Sequence, residues 1–512
     1  MRESREVVRT GERDAPAGEI LPKAVRIPAE KLSFTGRWSV DRRATCISCG
    51  MCASLCPYGV HRRIDGHVSI LPPDDTRCIG PACERNTFYC VANCPTKSLS
   101  VKPSETFASM GDPRWTAEMI LTTWSMAQSG RPVPVEHPGN LGASGGGFDA
   151  LHFRLPGFRE RVDPDSISTS IELNRRGSGQ RIRIPIPIYG GGMSFGSVSI
   201  YTMLARAKAA KAWNTFTCTG EGGYPEQLIP YKDHVITQIA TGLFGVREET
   251  IQRARIVEFK YAQGAKPGLG GHLLHDKNTP DVARMREAVP YTSLFSPFPF
   301  HSVYSVEDHK KHLDWVNSIN PRALLAVKVS TPNDVEMVAV GSYYAGAHIV
   351  HLDGGYGGTG AAPEIAKKNI AMPIEYAIPK VHRFLVNEGI RDEITLLASG
   401  GIRTALDVAK AIALGADGAV IGTADLVALG CVRCGNCESG RGCPRGIATT
   451  DPELHRLTDA DWGAAMISNM YGAWRQQWCE LLSRLGMDDI SQLRGRVDLL
   501  RHERGNPKGV PR

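Results

Sequence analysis

The cysteines of this chain recur at a spacing that leaves the intervening backbone little freedom. Cys46, Cys49, Cys52 and Cys56 fall as C-x2-C-x2-C-x3-C-P, with Pro57 closing the run. Cys78, Cys83, Cys90 and Cys94 end in the same C-x3-C-P after wider gaps, C-x4-C-x6-C. Cys431, Cys434, Cys437 and Cys443 repeat C-x2-C-x2-C, then take a longer gap before another Cys-Pro. Of 14 cysteines only Cys218 and Cys479 stand alone, and both are expected to be buried structural thiols. The opening residues, MRESREVVRTGERDAP, hold no apolar run, so no secretory signal is expected. A reducing, cytoplasmic setting follows as the expectation, and there such groups bind metal instead of forming disulfides.

The first two groups obey the arithmetic of bacterial ferredoxins, where tight turns aim three thiolates at one cubane and the fourth cysteine serves the other. By that rule Cys46, Cys49, Cys52 and Cys94 hold one [4Fe–4S] cluster, and Cys78, Cys83, Cys90 and Cys56 hold a second. The widened second set requires its connecting loops to bulge. Structural zinc is the alternative, but it favours paired C-x2-C units and has no use for an exchanged fourth ligand. The third group suits a [4Fe–4S] cluster with all four thiolates, a [3Fe–4S] cluster with one to spare, or zinc.

With 512 residues, 42% apolar and 22% charged, the chain has room for three or four domains and is not of disordered composition. No run of about 18 apolar residues occurs, so no spanning helix is expected. The net charge of +7 is modest and demands no nucleic acid. The pattern predicts an arm over 1–40, a ferredoxin-like domain over 41–104, and a glycine-bearing lead-in over 105–170. A barrel over 171–455 and a helical extension over 456–512 complete it. From Arg494 the tail carries six Lys/Arg against two acids, which suits either a solvated end or a docking surface. Eight short β-rich runs predict the barrel strands: Ile186–Tyr189, Thr215–Cys218, Ile256–Lys260, Thr292–Phe295, Leu324–Val329, His348–Leu352, Ile394–Ala398 and Ala419–Ile421. Alternating with helical segments, they fit an α/β (β/α)8 TIM barrel. A doubly wound sheet is disfavoured, because YGGGMSFGS matches the GxGxxG fingerprint poorly.

Barrel enzymes commonly bind phosphate with the loops after strands seven and eight. Gly400-Gly401 and Gly422-Thr423 stand at those ends, where glycine lets backbone N–H groups approach closely. Gly354, Gly355, Gly358 and Thr359 form a further glycine-rich end after strand six. Lys328, between Val327 and Val329, is placed either to face a flavin's pyrimidine edge or as a plain surface lysine. A phosphate site beside iron–sulfur clusters points to FMN, which couples one-electron carriers to hydride chemistry. Thr219-Gly220-Glu221-Gly222-Gly223, Gln263 to Gly268 and Arg286 supply a polar constellation. Lys266 and Arg286 suit the two carboxylates of a dicarboxylate, and Glu221 suits an ammonia or iminium nitrogen.

These stretches resemble the FMN-binding synthase domain of glutamate synthases. The resemblance runs from about 170 to 455. It is carried by GMSFGS from Gly192, TGEGG from Thr219, AQGAKPGLGG from Ala262, GGTGAAP from Gly357 and GTADLVALGC from Gly422. It implies reductive amination of 2-oxoglutarate with glutamine-derived ammonia, reduced FMN giving the hydride. Glu221 and Lys266 would be catalytic, and Gln263, Lys266 and Arg286 would hold the substrate. Met193, Ser194, Thr219, Gln263, Lys328 and the glycine pairs would hold FMN. The resemblance is closest to the split, archaeal-type enzymes. It therefore implies a hetero-oligomer with a glutaminase subunit, a glycine-repeat β-helix subunit and an external donor, either reduced ferredoxin or a pyridine-nucleotide-dependent reductase.

One stretch departs from the family: SPPPHHDIYS reads SPFPFHSVYS from Ser296. That loop leaves open the synthase subunit of N-methylglutamate synthase, which joins methylamine and glutamate. An electron-transfer subunit with an inactive barrel is a third reading, disfavoured because Lys266, Arg286 and Glu221 are all present. Iron analysis of anaerobically prepared chain is expected to return no fewer than about eight irons, and a lower content would contradict two ferredoxin-type cubanes.

Overall fold

The computed structural model describes residues 21–25, 27 and 32–502, apart from 65, 145, 158–160, 178, 359–361 and 439–440. Eight parallel strands form a near-closed barrel: β1 Ile188–Gly190, β2 Thr217–Cys218, β3 Val235–Ala240, β4 Ile256–Lys260, β5 Leu324–Ser330, β6 Ile349–Asp353, β7 Thr395–Ser399 and β8 Gly418–Ile421. Around the barrel they run β1-β8-β7-β6-β5-β4-β3-β2. The β1–β2 seam is crossed by the Gly190 N–H, which donates to the Phe216 carbonyl at 2.8 Å, and by a parallel bridge from Gly192 to Cys218. Both sheet faces are covered, so strands such as LLAVKVS and TLLAS are apolar throughout or nearly so. Where charge intrudes it recurs at period two: Glu258 and Lys260 on β4, His351 and Asp353 on β6.

The expected and observed strands differ at one position. Thr292–Phe295 is no barrel strand. Its Leu294–Phe295 pairs antiparallel with His272–Leu273 on the long excursion between β4 and β5, and Phe295 is 67% exposed. The missing strand is β3, VITQIA, buried along its whole length. A 3-10 stretch, Glu226–His234, feeds it directly, with no intervening helix of the kind that signals a βα unit. The loop bearing Gln263 and Lys266 therefore follows the fourth strand, not the third.

A 26-residue helix, Ala460–Leu485, lies across the outside of the barrel. Asp459 caps its start by accepting the Trp462 N–H, and Gly486 ends it at φ 70, a left-handed conformation that glycine adopts freely. The lead-in segment contributes a helix too, Ala117–Ser129, capped by Thr116 and Gly130. Its Trp124 indole donates to the Val427 carbonyl at 2.7 Å. At the N-terminal side, Trp38–Arg42 pairs antiparallel with Leu99–Pro103, so the ribbon begins inside the stretch read from sequence as an arm. The ribbon closes a small core of Val40, Cys52, Val60, Ile70 and Leu99. The basic tail beyond residue 502 and the arm before residue 21 lie outside the described residues. Among the described residues no helix is long and apolar enough to cross a membrane.

Arg206, on the helix Ile200–Ala212, ties these layers together. It donates to Asp425 at 2.9 Å and to the Gly191 carbonyl at 2.7 Å, while the Tyr471 hydroxyl of the long helix donates to the same Asp425 at 2.9 Å. Arg206 and Asp425 are both almost wholly buried. Removing one partner of such a pair strands the other, at about 3 kcal/mol. Arg206→Met is expected to destabilise the chain by about that much, read as a lowered guanidinium midpoint followed by tryptophan fluorescence.

Candidate active site at the barrel mouth

Four charged side chains converge where β2 and β4 open. Glu221, directly after Gly220 and three residues past the end of β2, accepts from Lys260 Nζ at 3.0 Å. Lys266, on the loop after β4, is 3% exposed, and Arg286, at the end of the helix Pro280–Arg286, is 4% exposed. Burial alone would raise the Glu221 carboxyl, but Lys260, then Lys266 and Arg286, hold it below its ordinary value. Burial pulls the Lys266 ammonium down, and Glu221 draws it back. Three cations around one carboxylate leave a surplus of positive charge in a nearly dry site, the condition for binding an anion. Arg286 donates to Ser194 Oγ and to the Phe195 carbonyl, both at 3.1 Å, and its Nε is buried with no partner. Gln263 is half-buried on the same loop as Lys266. Lys266 Nζ lies 3.5 Å from His272 Nδ1.

The glycine-bearing strand ends divide into two kinds. Gly354, Gly355 and Gly400 are buried. The Gly354 and Gly355 N–H groups donate to the Ser399 and Met372 carbonyls. A Cβ on Gly400 would meet the Gly354 carbonyl oxygen at 2.5 Å, so these glycines let two loops press together. Gly358, Gly401, Gly422 and Thr423 stay accessible. A Cβ on Gly358 would lie 2.5 Å from Thr423 Oγ1, and one on Gly422 would lie 3.2 Å from Met193 Cε. The ends of β6, β8 and β1 thus meet in a cradle lined by backbone, which suits a phosphate-bearing cofactor. Thr219 is spent inside the fold, accepting the Gln238 N–H at 3.2 Å. Arg403, in the loop after β7, is engaged by Asp149 and Asp407 at 2.6 and 2.9 Å. Thr359 lies outside the described residues.

Lys328 is held on β5 by Asp353 at 3.2 Å. Burial would raise the Asp353 carboxyl, yet Lys328 and then His351 hold it down to about 2. Beneath this pair runs a polar layer with no counterpart among the residues singled out from sequence. His351 Nδ1 is 2.9 Å from Glu258 Oε2, its Nε2 is 2.7 Å from Ser399 Oγ, and Gln238 donates to Glu258 at 2.6 Å. With Lys260, these residues carry a sequence signal that was available: charged or polar side chains on alternate positions of otherwise apolar strands.

Among the described residues no group of three or more His, Cys, Asp or Glu side chains is gathered closely enough to hold a metal ion. The thiols are grouped more loosely, around shared spaces. Cys46, Cys49, Cys52 and Cys94 line one cavity. Burial, with Cys78, Cys56, Cys52 and Cys83 adding, pushes the Cys90 thiol up to about 12. The Gly80 and Ser98 N–H groups donate to the sulfurs of Cys78 and Cys94 at 3.4 and 3.3 Å. This grouping, with N–H groups aimed at sulfur, fits thiolates of a cluster wider than a single ion. At the mouth, burial pushes the Cys431 thiol up to about 11, with Cys437 and Cys443 adding. That loop is tied to its surroundings by Lys277, which donates to the Cys437 carbonyl, and by Glu438, 3.6 Å from His272. Cys218 and Cys479 are both buried.

The conserved region of glutamate synthases matches residues 155–488. The archaeal-type glutamate synthase [NADPH] of Thermotoga maritima is 34% identical over 478 residues, covering 89% of this chain and 92% of its own. The archaeal glutamate synthase [NADPH] of Methanocaldococcus jannaschii is 43% identical over 321 residues, 62% of this chain and 63% of its own. The chain belongs to the glutamate synthase family. A crystal structure of (S)-mandelate dehydrogenase overlays at a TM-score of 0.43 with 17% identity, over 70% of this chain and 89% of that one.

Within this glutamate synthase family member, the departing loop at Ser296–Ser305 starts beside the charged cluster, where the Ser296 N–H donates to the carbonyl of Gly271, a residue pressed against Glu221, and then turns into an aromatic cluster. Phe300 is buried against the rings of Phe259, Tyr261 and His312, with centroids 6.4, 5.9 and 5.3 Å away. The His309 ring lies tilted against Tyr261 with centroids 3.7 Å apart, and burial, aided by His312, lowers its imidazole to about 4. A folded-state value below the unfolded 6.5 means the fold favours the neutral ring. That stabilisation is complete above pH ~6.5 and is lost as pH falls toward 4. His309→Phe is expected to flatten the fall of melting temperature over that interval, measured against the unsubstituted chain.

Proposed function

We propose that this chain is the synthase subunit of a multi-subunit glutamate synthase, forming L-glutamate from 2-oxoglutarate and ammonia released from glutamine by a partner subunit. That it is an enzyme, an oxidoreductase of the glutamate synthase type, follows from its family. The observation that carries the finer reading is the buried surplus of cations, Lys260, Lys266 and Arg286 around Glu221, at the mouth of the barrel.

Arg286 and Lys266 would clamp the two carboxylates of 2-oxoglutarate, the unpartnered Arg286 Nε supplying a further donor. Gln263 would fix the orientation of the keto group. Glu221, ionised through its three cations, would hold the incoming ammonia nitrogen beside the keto carbon and take up a proton as the imine forms. Burial of these side chains excludes water that would otherwise hydrolyse the imine. FMN, held by Met193, Ser194, Lys328, Gly358, Gly401, Gly422 and Thr423, would supply the hydride for the final reduction. Gly354, Gly355 and Gly400 support that cradle from behind.

The cysteines would bring electrons to that cofactor. Cys46, Cys49, Cys52 and Cys94 would hold one [4Fe–4S] cluster in a ferredoxin-like domain, and Cys56, Cys78, Cys83 and Cys90 a second. Cys431, Cys434, Cys437 and Cys443 would hold a third beside the mouth. The relatives' names specify NADPH, so we take a pyridine-nucleotide-dependent reductase as the external donor. The reading places the protein in the cytoplasm, with a glutaminase subunit and a glycine-repeat subunit as partners.

Assembled with its partners and reduced, the enzyme is expected to form glutamate from 2-oxoglutarate plus glutamine and to be inert with glutamate plus methylamine. The opposite pattern would assign it to N-methylglutamate synthesis. Arg286→Lys keeps the charge but loses the forked geometry, and is expected to raise KM for 2-oxoglutarate by about 10- to 100-fold. An unchanged KM would remove Arg286 from the substrate site.

A further inference from the structure

We propose that Asp353 is a positioning residue that ties the cation assigned to the flavin to the loop assigned to the substrate, an inference that rests on the reading of the site above. Asp353 closes β6 and is buried, and donors from three different elements meet its carboxylate. Lys328 Nζ from β5 lies 3.2 Å from Oδ2. The Gly264 N–H donates to the same Oδ2 at 3.0 Å. The Ser399 hydroxyl from β7 donates to Oδ1 at 2.6 Å. Gly264 directly follows Gln263 and precedes Lys266 by two residues, so one oxygen atom fixes the flavin cation and the substrate loop relative to each other. The loop is seated as closely as backbone allows. A Cβ on Gly264 would fall 2.3 Å from the Asp353 carbonyl oxygen and 1.9 Å from that of Gly354.

The anchor is itself held from behind. Ser399 has one hydroxyl proton and gives it to Asp353, so its oxygen accepts from His351 Nε2 at 2.7 Å. His351 Nδ1 lies 2.9 Å from one carboxylate oxygen of Glu258, and Gln238 donates to the other. The chain of contacts runs from β3 through β4, β6 and β7 and returns to β5. Barrel interiors are ordinarily filled by branched apolar side chains, and buried charges cost stability that such packing would not. A paired, fully hydrogen-bonded layer directly beneath the mouth is the place where that cost secures the relative position of two loops.

Asp353→Asn keeps the shape, removes the charge and cannot accept from Lys328 and Gly264 as the carboxylate does. In the FMN-loaded complex it is expected to shift the absorbance spectrum of the bound flavin and to raise KM for 2-oxoglutarate about tenfold, more than it lowers kcat. Ser399→Ala leaves the carboxylate in place and is expected to move both readouts the same way by less. Either readout staying at its original value in Asp353→Asn overturns the shared anchor. Should that variant fail to fold, Ser399→Ala carries the same criterion. If the unsubstituted complex binds no FMN, the reading of the site fails, and the anchor is then judged by hydrogen exchange. Faster exchange at the Gly264 amide in Asp353→Asn sustains the tie, and unchanged exchange overturns it.

Discussion

Lys260 and Lys328 stand opposite each other in register on adjacent strands, and a buried ammonium is costly unless it is paired. Each is neutralised by a carboxylate from a different direction: Glu221 reaches Lys260 from the end of β2, and Asp353 reaches Lys328 from the end of β6. Much of the mouth is built around that requirement. Gly271 lacks a side chain because a Cβ there would sit 2.1 Å from Glu221 Oε1, and Gly264 lacks one because β6 occupies the space. The charges set the loop positions, and the loop positions bring Lys266 and Arg286 to the same opening.

The outer layers serve this arrangement indirectly. The mouth is made of short loops, which hold their positions only if the strands beneath do not shift. The barrel is thinnest at the β1–β2 seam, where β2 has two residues. The helix Ile200–Ala212 lies behind that seam, and its Arg206 grips the Gly191 carbonyl at the end of β1 and Asp425 after β8. Tyr471 of the long helix completes the clamp from outside. The C-terminal extension thereby reaches the loop after β8 through the buried Asp425 carboxylate.

How much was legible in sequence depended on how local the signal is. Cysteine groups within a dozen or so residues announce themselves by spacing alone. The barrel class was legible because eight apolar runs at regular intervals leave few alternatives, although one of those runs was misplaced. β3 was hidden because its signature is shared by any buried segment and no helix separates it from β2, while Thr292–Phe295 imitates a strand over four residues. Glycines gave the reverse difficulty. Gly400 and Gly422 carry the same sequence signal, but one presses against Gly354 and the other opens on the mouth. Lys260, Glu258 and His351 went unnoticed because a single charge in a five-residue strand is uninformative until its partner on another strand is known.

The third cysteine group sits between two sets of contacts, and their order bears on how electrons would travel. The ribbon strand Leu99–Pro103 leads through the short helix Glu105–Ala108 to Gly111 and Asp112. There the Gly111 N–H donates to the Val432 carbonyl at 3.0 Å, and Asp112 accepts from both Nε and Nη2 of Arg433 at 3.0 and 2.8 Å. Burial would raise the Asp112 carboxyl, and Arg433 holds it below its ordinary value. On its other side the same loop meets Lys277 and His272, and His272 meets Lys266. A chain that only needed to tether a small domain to a barrel would be served by a flexible linker. This one spends a forked, charge-assisted contact to seat the exit of the cysteine-rich unit on the loop that borders Lys277 and His272. In the reading proposed above, such a seat would keep the cysteine groups at a fixed separation from the mouth, on which electron transfer between centres depends.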